Sequence, residues 1–223
     1  MSEWTTGTNL AVALAAFLLG WYVIGLYLNR QRGGQLVRQV RDSIQLFGGT
    51  ATIRWIGRSA FRIEVAQLRA PLTDLGISLL LEPRETFLLW LVGRWSGRRD
   101  WLMLSVTLDG VVKGAFEVYH PRRRGATDSA REVRDLGWQT AALPGRAELV
   151  FAAPGPDGRA LAQETLSALR GLDVWRVRVR NKAPQLTISL PVPAAETRVP
   201  LPVFPLVPQL AEMILARGVS DRP

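Results

Sequence analysis

From Leu10 to Leu28 the chain reads LAVALAAFLLGWYVIGLYL, nineteen positions without one charge. At ~1.5 Å per residue these span roughly 28 Å as a helix, close to the ~30 Å hydrocarbon thickness of a bilayer. A buried helix of a soluble protein rarely runs so long without a polar face, so the pattern predicts a transmembrane helix. Trp4 and Tyr27 fall near its two ends, where amphipathic rings prefer to sit. A cleaved signal peptide needs a basic start and small residues before the cut. Residues 1–9 carry only Glu3 as a charged side chain, and the stretch Gly25-Leu-Tyr-Leu-Asn-Arg30 offers bulky residues where small ones are needed, so the segment is expected to stay attached.

The pattern then changes. Gly33-Gly34 is expected to break or bend the helix, and Leu36, Val37, Val40, Ile44 and Phe47 share one face of an amphipathic helix over residues 35–47. That helix lies either at the headgroups or against the body. After Gly48-Gly49, alternation at period two predicts strands over residues 50–57 and 60–68. Two short apolar runs, 77–81 and 87–92, flank Glu82-Pro83-Arg84-Glu85 and read as central strands; the charges between them and their shortness argue against a second membrane crossing. A strand over 101–108 meets Asp109-Gly110, which signals a tight hairpin into residues 111–119. Six strands in succession imply an antiparallel meander.

Beyond the meander, residues 127–136 read as a short helix and 148–153 as a strand. A helix runs to Arg170 with Asp157 as its cap, and 174–180 pairs with 186–190 as a hairpin. The tail holds six prolines between 191 and 208, and Pro202, Pro205 and Pro208 recur every three residues, as along one edge of a polyproline II segment. Its dense apolar residues, Val199 to Leu206, are expected to dock on the domain, with recruitment of an external proline-binding domain as the alternative, and a short helix over 209–216 closes the chain. The organisation is therefore a transmembrane anchor (1–29), a juxtamembrane amphipathic helix (30–48), an α+β domain on a predominantly antiparallel sheet (49–190), and a Pro-rich tail with a short helix (191–223). The strands beyond Gly48 are expected to contain their own core.

Charge adds orientation. All 28 basic residues and 18 of the 19 acids follow the apolar segment. Arg30 and Arg32 flank it directly, and the amino-terminal side has no Lys or Arg. By the positive-inside tendency, residues 1–9 face outward and the body is cytoplasmic. Basic excess concentrates in residues 29–125, with 16 basic groups against 8 acids, where an anionic leaflet would attract it. The chain has no cysteine, which excludes disulfides and thiolate metal sites.

Candidate chemistry is sparse. His120 is the only histidine and stands alone. No phosphate-cradling P-loop, no dinucleotide glycine pattern and no metal-ligand spacing occurs, so no metal and no cofactor is expected. Glu82 and Glu85 flank a turn and read as solvated there. The most patterned polar feature is Trp175-Arg-Val-Arg-Val-Arg180, followed by Lys182. Alternation turns Trp175, Val177 and Val179 toward the core and lines Arg176, Arg178 and Arg180 along the opposite face at ~6.6 Å spacing. Three aligned like charges need acidic neighbours, solvent or an anionic ligand, and Glu148 and Glu164 are the acids considered. Arg122, Arg123 and Arg124 form a second basic cluster in a loop. These seven basic residues are the candidate anionic-surface site, with lipid headgroups or nucleic acid as the ligand.

The reading is a single-pass, membrane-anchored, cytoplasmic binding or scaffolding domain, non-enzymatic, of unassigned ligand. The alternative is an accessory subunit of an integral-membrane complex, packed on partner helices through the small residues Ala13, Ala16 and Gly20. A membrane-tethered enzyme and a nucleic-acid binder are third and fourth.

Overall fold

The computed structural model describes residues 2–45, 47–57, 59–143, 145–192 and 201–219. Helix α1 (Ser2–Ile44) runs 43 residues without a break. Residues 7–20 are exposed all round, and the helix is long and apolar enough to cross a membrane. Its last third is different, with Leu36, Val40 and Ile44 buried in the core. Gly33 does not end the helix. It sits beneath Trp55, whose ring would lie 3.0 Å from an added Cβ. The glycine permits a close approach, and the helical hydrogen bonds continue past it.

Among the described residues the body is one nine-stranded antiparallel sheet. In chain order its strands are β1 (Thr50–Trp55), β2 (Ala60–Ala66), β3 (Leu72–Leu80), β4 (Trp101–Leu108), β5 (Phe116–Tyr119), β6 (Gln139–Leu143), β7 (Arg146–Ala153), β8 (Arg176–Val179) and β9 (Leu186–Pro191). In space they run β1-β2-β3-β4-β9-β8-β5-β7-β6. One row of register partners crosses the whole sheet: Ile53, Ile63, Ile77, Leu104, Ile188, Val177, Val118, Phe151 and Ala141. Register partners share a face, so this row defines the apolar side. The end of α1 packs into the same core with Leu161, Ala162 and Leu166 of α4 (Pro156–Ala168) and Val207, Leu210 and Ile214 of α5 (Leu206–Val219). On the opposite side, Val133 of α3 (Ala126–Asp135) packs with Tyr119 and Ala152.

The α+β class and the antiparallel sheet agree with the sequence reading; several connections do not. The run at 87–92 is no strand but part of helix α2 (Phe87–Trp95). A short, wholly apolar run has no period that separates strand from helix, and here the helix puts Phe87 and Trp90 against α1. Asp109-Gly110 makes no hairpin, because β4 pairs with β3 and β9 while β5 pairs with β7 and β8. The meander therefore stops at β4. Asp157 lies inside the first turn of α4, and Gly155 holds the cap position. In the tail, residues 202–205 form turns and Pro208 lies inside α5, so no polyproline II segment forms there. The described part does dock, with Leu201, Val203 and Phe204 buried; Val199 lies outside the described residues.

Candidate anion-binding site

Two loops meet beside the end of α2. The first is the turn after that helix. Ser96 caps it through its hydroxyl, which donates to the Val92 carbonyl, and Gly97 takes a left-handed conformation (φ +66°). The Arg98 amide then bonds back to the Gly93 carbonyl at 2.9 Å, which fixes where Arg98 and Arg99 leave the helix. The second loop follows β5. His120, expected to stand alone, accepts a hydrogen bond from the Arg122 amide at Nδ1 (3.2 Å), and its carbonyl accepts one from the Arg123 amide (3.1 Å). It shapes the basic loop that follows it.

Between these loops lies a cavity of about 460 Å³ lined by Ser96, Gly97, Arg98, Arg99, Arg122, Arg123, Arg124 and Trp175. Five of the eight lining residues are arginines and none is an acid. Two guanidiniums are held over aromatic rings, Arg123 at 5.3 Å from the Trp175 centroid and Arg124 at 5.5 Å from that of Trp101. Arg98, Arg99, Arg122 and Arg124 are exposed, whereas Arg123 is half-buried and its Nε makes no hydrogen bond. Arg124 keeps an exposed surface, but partial desolvation, and secondarily the neighbouring Arg98 charge, hold its guanidinium below its ordinary value. An anion with several oxygens would relieve this repulsion and would meet planar, multi-donor partners there.

The arginine stripe on β8 has a different setting. Its predicted facing is right: Val177 and Val179 are fully buried, with Arg176 and Arg178 on the other side. The exposed, ligand-facing role expected of it meets a correction, because that side already carries acids. Glu117 of β5 is the register partner of Arg178 and is 0% exposed. Arg176 reaches it at 2.8 Å, Arg178 at 2.9 Å and Arg180 at 3.8 Å. Glu132 of α3 closes the cluster from above, pairing with Arg176, Arg178 and Arg180. Burial pushes the Glu117 carboxyl above its ordinary value. The partners are thus Glu117 and Glu132 rather than Glu148 or Glu164. Lys182 is exposed in the turn beyond β8.

The remaining candidates divide. Arg30 is exposed, but Arg32 is paired with Asp100 at 3.3 Å. Asp100 also takes Arg84, and Glu85 accepts from Asn29 at 2.7 Å, so Glu85 is engaged with α1 rather than solvated. Ala13, Ala16 and Gly20 are exposed, with open space over Gly20. Among the described residues no three His, Asp or Glu side chains cluster as a metal site. Sequence reasoning found Arg122 to Arg124 but missed Arg98, Arg99 and Trp175 as their companions. The signal available was the Gly97-Arg-Arg99 turn directly after an apolar run. Set against models of known families and against curated proteins, the chain matches none.

Proposed function

We propose that this protein is anchored by α1 in a membrane and that its body is a non-enzymatic binding domain on the cytoplasmic side, gripping phosphate-bearing lipid headgroups. The observation that carries the reading is the cavity with five guanidiniums and no lining acid, opening at the end of a helix that stacks on the apolar part of α1. The uncharged segment Leu10 to Leu28 supports the anchor, and the basic residues that follow it support a cytoplasmic body. Near an anionic leaflet each Lys or Arg contributes ~1 kcal/mol, so removing two of the cavity's charges weakens the grip by about 2 kcal/mol, roughly thirty-fold.

The test uses the full chain in detergent micelles, with phosphatidylglycerol or phosphatidylcholine titrated in and lipid adducts followed by native mass spectrometry. The wild type should prefer the anionic lipid, and the preference should fall as salt rises. Arg98→Gln with Arg123→Gln should lose it. Equal binding of both lipids, or no change in the double variant, defeats the reading. Tighter binding of a short oligonucleotide than of either lipid would move the site to nucleic acid, because both ligands present phosphate.

A second reading has its own support. The small residues Ala13, Ala16 and Gly20 leave one face of α1 open to a partner helix. In that reading the protein is an accessory subunit of a membrane complex, and cross-linking from Ala16→Cys in native membranes would capture a neighbour.

A further inference from the structure

Helix α2 and the loop before it stand along the apolar part of α1 instead of folding onto the sheet. Phe87 stacks edge-on against Phe17 with centroids 5.3 Å apart, and Trp21 lies 4.9 Å from Phe87 and 5.1 Å from Trp90. Gly25 makes the approach possible, since an added Cβ would fall 2.2 Å from the Arg84 carbonyl oxygen. Phe17 and Trp21 precede Leu28 by eleven and seven residues, roughly 16 and 10 Å along a helix axis. Half of the hydrocarbon thickness is ~15 Å. The first turn of α2 therefore stands level with the interior of the leaflet that Leu28 borders.

The exposed surface of α2 is apolar as far as Arg94, an exposed charge in its last turn. Leu88 is 66% exposed, Leu89 54%, Val92 55% and Trp95 81%. In the loop that carries it, the carbonyls of Glu82, Pro83, Arg84 and Thr86 all accept hydrogen bonds within the protein. The Glu82 carbonyl accepts from Asn29 Nδ2 (3.1 Å), the Pro83 carbonyl from the Thr86 amide (3.2 Å), and the Arg84 carbonyl from Trp21 Nε1 (2.9 Å). The Thr86 carbonyl accepts from the Trp90 amide at 2.9 Å. The Arg84 guanidinium turns back to Asn29 (2.9 Å) and Asp100 (3.1 Å). In water such groups would be solvated without help. In hydrocarbon each must be satisfied by protein, and irregular backbone survives at depth only in that form. At the far end Trp95 is followed by Arg98 and Arg99, the order of an aromatic ring and then charges at a headgroup boundary.

We propose that residues 82–95 are a second membrane-embedded element: a half-depth wedge whose Leu88, Leu89 and Val92 face the acyl chains of the inner leaflet. Nine helical residues extend only about 14 Å, so α2 enters the leaflet without crossing the bilayer. The wedge brings Arg98 and Arg99 to headgroup level and so sets the height of the arginine cavity. The inference rests on the reading that α1 spans the membrane.

Because the chain has no cysteine, the test is clean. The full chain, carrying Leu88→Cys, Leu89→Cys or Val92→Cys with a fluorescent label, is reconstituted in vesicles whose lipids bear a spin label on the acyl chain. Leu14→Cys reports the span and Asp157→Cys the body. Labels at 88, 89 and 92 should be quenched to a similar extent as the label at 14, and the one at 157 should not. Quenching at 14 alone overturns the wedge and leaves the span standing. No quenching at 14 defeats the span and the wedge together. An unquenched label at 89, together with disulfide-linked dimers of the unlabelled Leu89→Cys chain under mild oxidation, places a second copy of the chain on α2, and that too overturns the proposal.

Discussion

Glu117 is a buried carboxylate in contact with three guanidiniums, and its register explains both facts. Position 117 lies opposite Arg178 on the paired strand, with Arg176 and Arg180 two residues to either side. The alternation of β8 disclosed which way its arginines face; it contained nothing about Glu117, because that pairing depends on a neighbour strand 59 residues away from Arg176 in sequence. Arg122 to Arg124 were legible as a basic run, whereas their companions Arg98 and Arg99 arrive through a turn whose position only the α2–α1 packing fixes. The Glu117 environment has a measurable consequence. Burial raises its carboxyl above the usual value, so the folded state holds this proton more tightly than the unfolded chain. The stabilisation from that proton is complete below the ordinary carboxylate range and is lost as pH rises through the raised value. Wild type should therefore gain stability relative to Glu117→Gln as pH falls from neutrality toward about 4.5, as read by thermal melts in matched buffers. The opposite slope would mean that the three arginines outweigh burial.

Elements with a clear period were readable, and those without one were not. Strands β2 and β4 show strict alternation and stand where expected, with Phe61, Ile63 and Val65, then Leu102, Leu104 and Val106, on the core side. The run 87–92 lacks any period, and as a helix it sets Phe87 and Trp90 against the aromatic side chains of α1. Asp109-Gly110 is a valid local turn signal overruled by long-range pairing, since β9 takes the place beside β4 that a hairpin partner would hold. The tail shows the same override. Proline spacing suggested an extended segment, but Phe204 is fully buried with its ring 6.3 Å from that of Phe47, and turns at 201–207 carry it there. Truncating a buried phenylalanine costs about 3–5 kcal/mol through lost transfer energy and a residual cavity. Total stabilities are only ~5–15 kcal/mol. Phe204→Ala should thus lower the denaturation midpoint sharply, while Pro205→Ala, at an exposed neighbour, should leave it nearly unchanged. Equal, small effects of both would show that the tail rests on the body without contributing to its core.

At the scale of the whole molecule, the body does not begin at the glycine pair at 48 and 49. Helix α1 changes character along one continuous rod. Residues 7–20 are exposed and mostly apolar, and its last third supplies Leu36, Val40 and Ile44 to the same core as the strands, followed by Phe47. The sequence displayed the amphipathic face of residues 35–47 but not its partner, because headgroups and a protein core both accept an apolar stripe. The magnitudes separate the two outcomes of cutting the chain. Fully burying each such side chain contributes about 1.5–3 kcal/mol, so four together contribute roughly 6–12 kcal/mol, comparable with the ~5–15 kcal/mol total of a typical domain. A fragment starting at Gly48 loses all four and uncovers the apolar sheet face beneath them. A fragment starting at Asn29 keeps them, and keeps Arg32 on Asp100 as well. In mild detergent, which also shields the apolar side of α2, the Asn29 fragment should elute as a single species and melt cooperatively. The Gly48 fragment should aggregate or melt without a transition. A monodisperse, cooperatively melting Gly48 fragment would show that the strands hold a sufficient core alone, and that the end of α1 is only laid upon it.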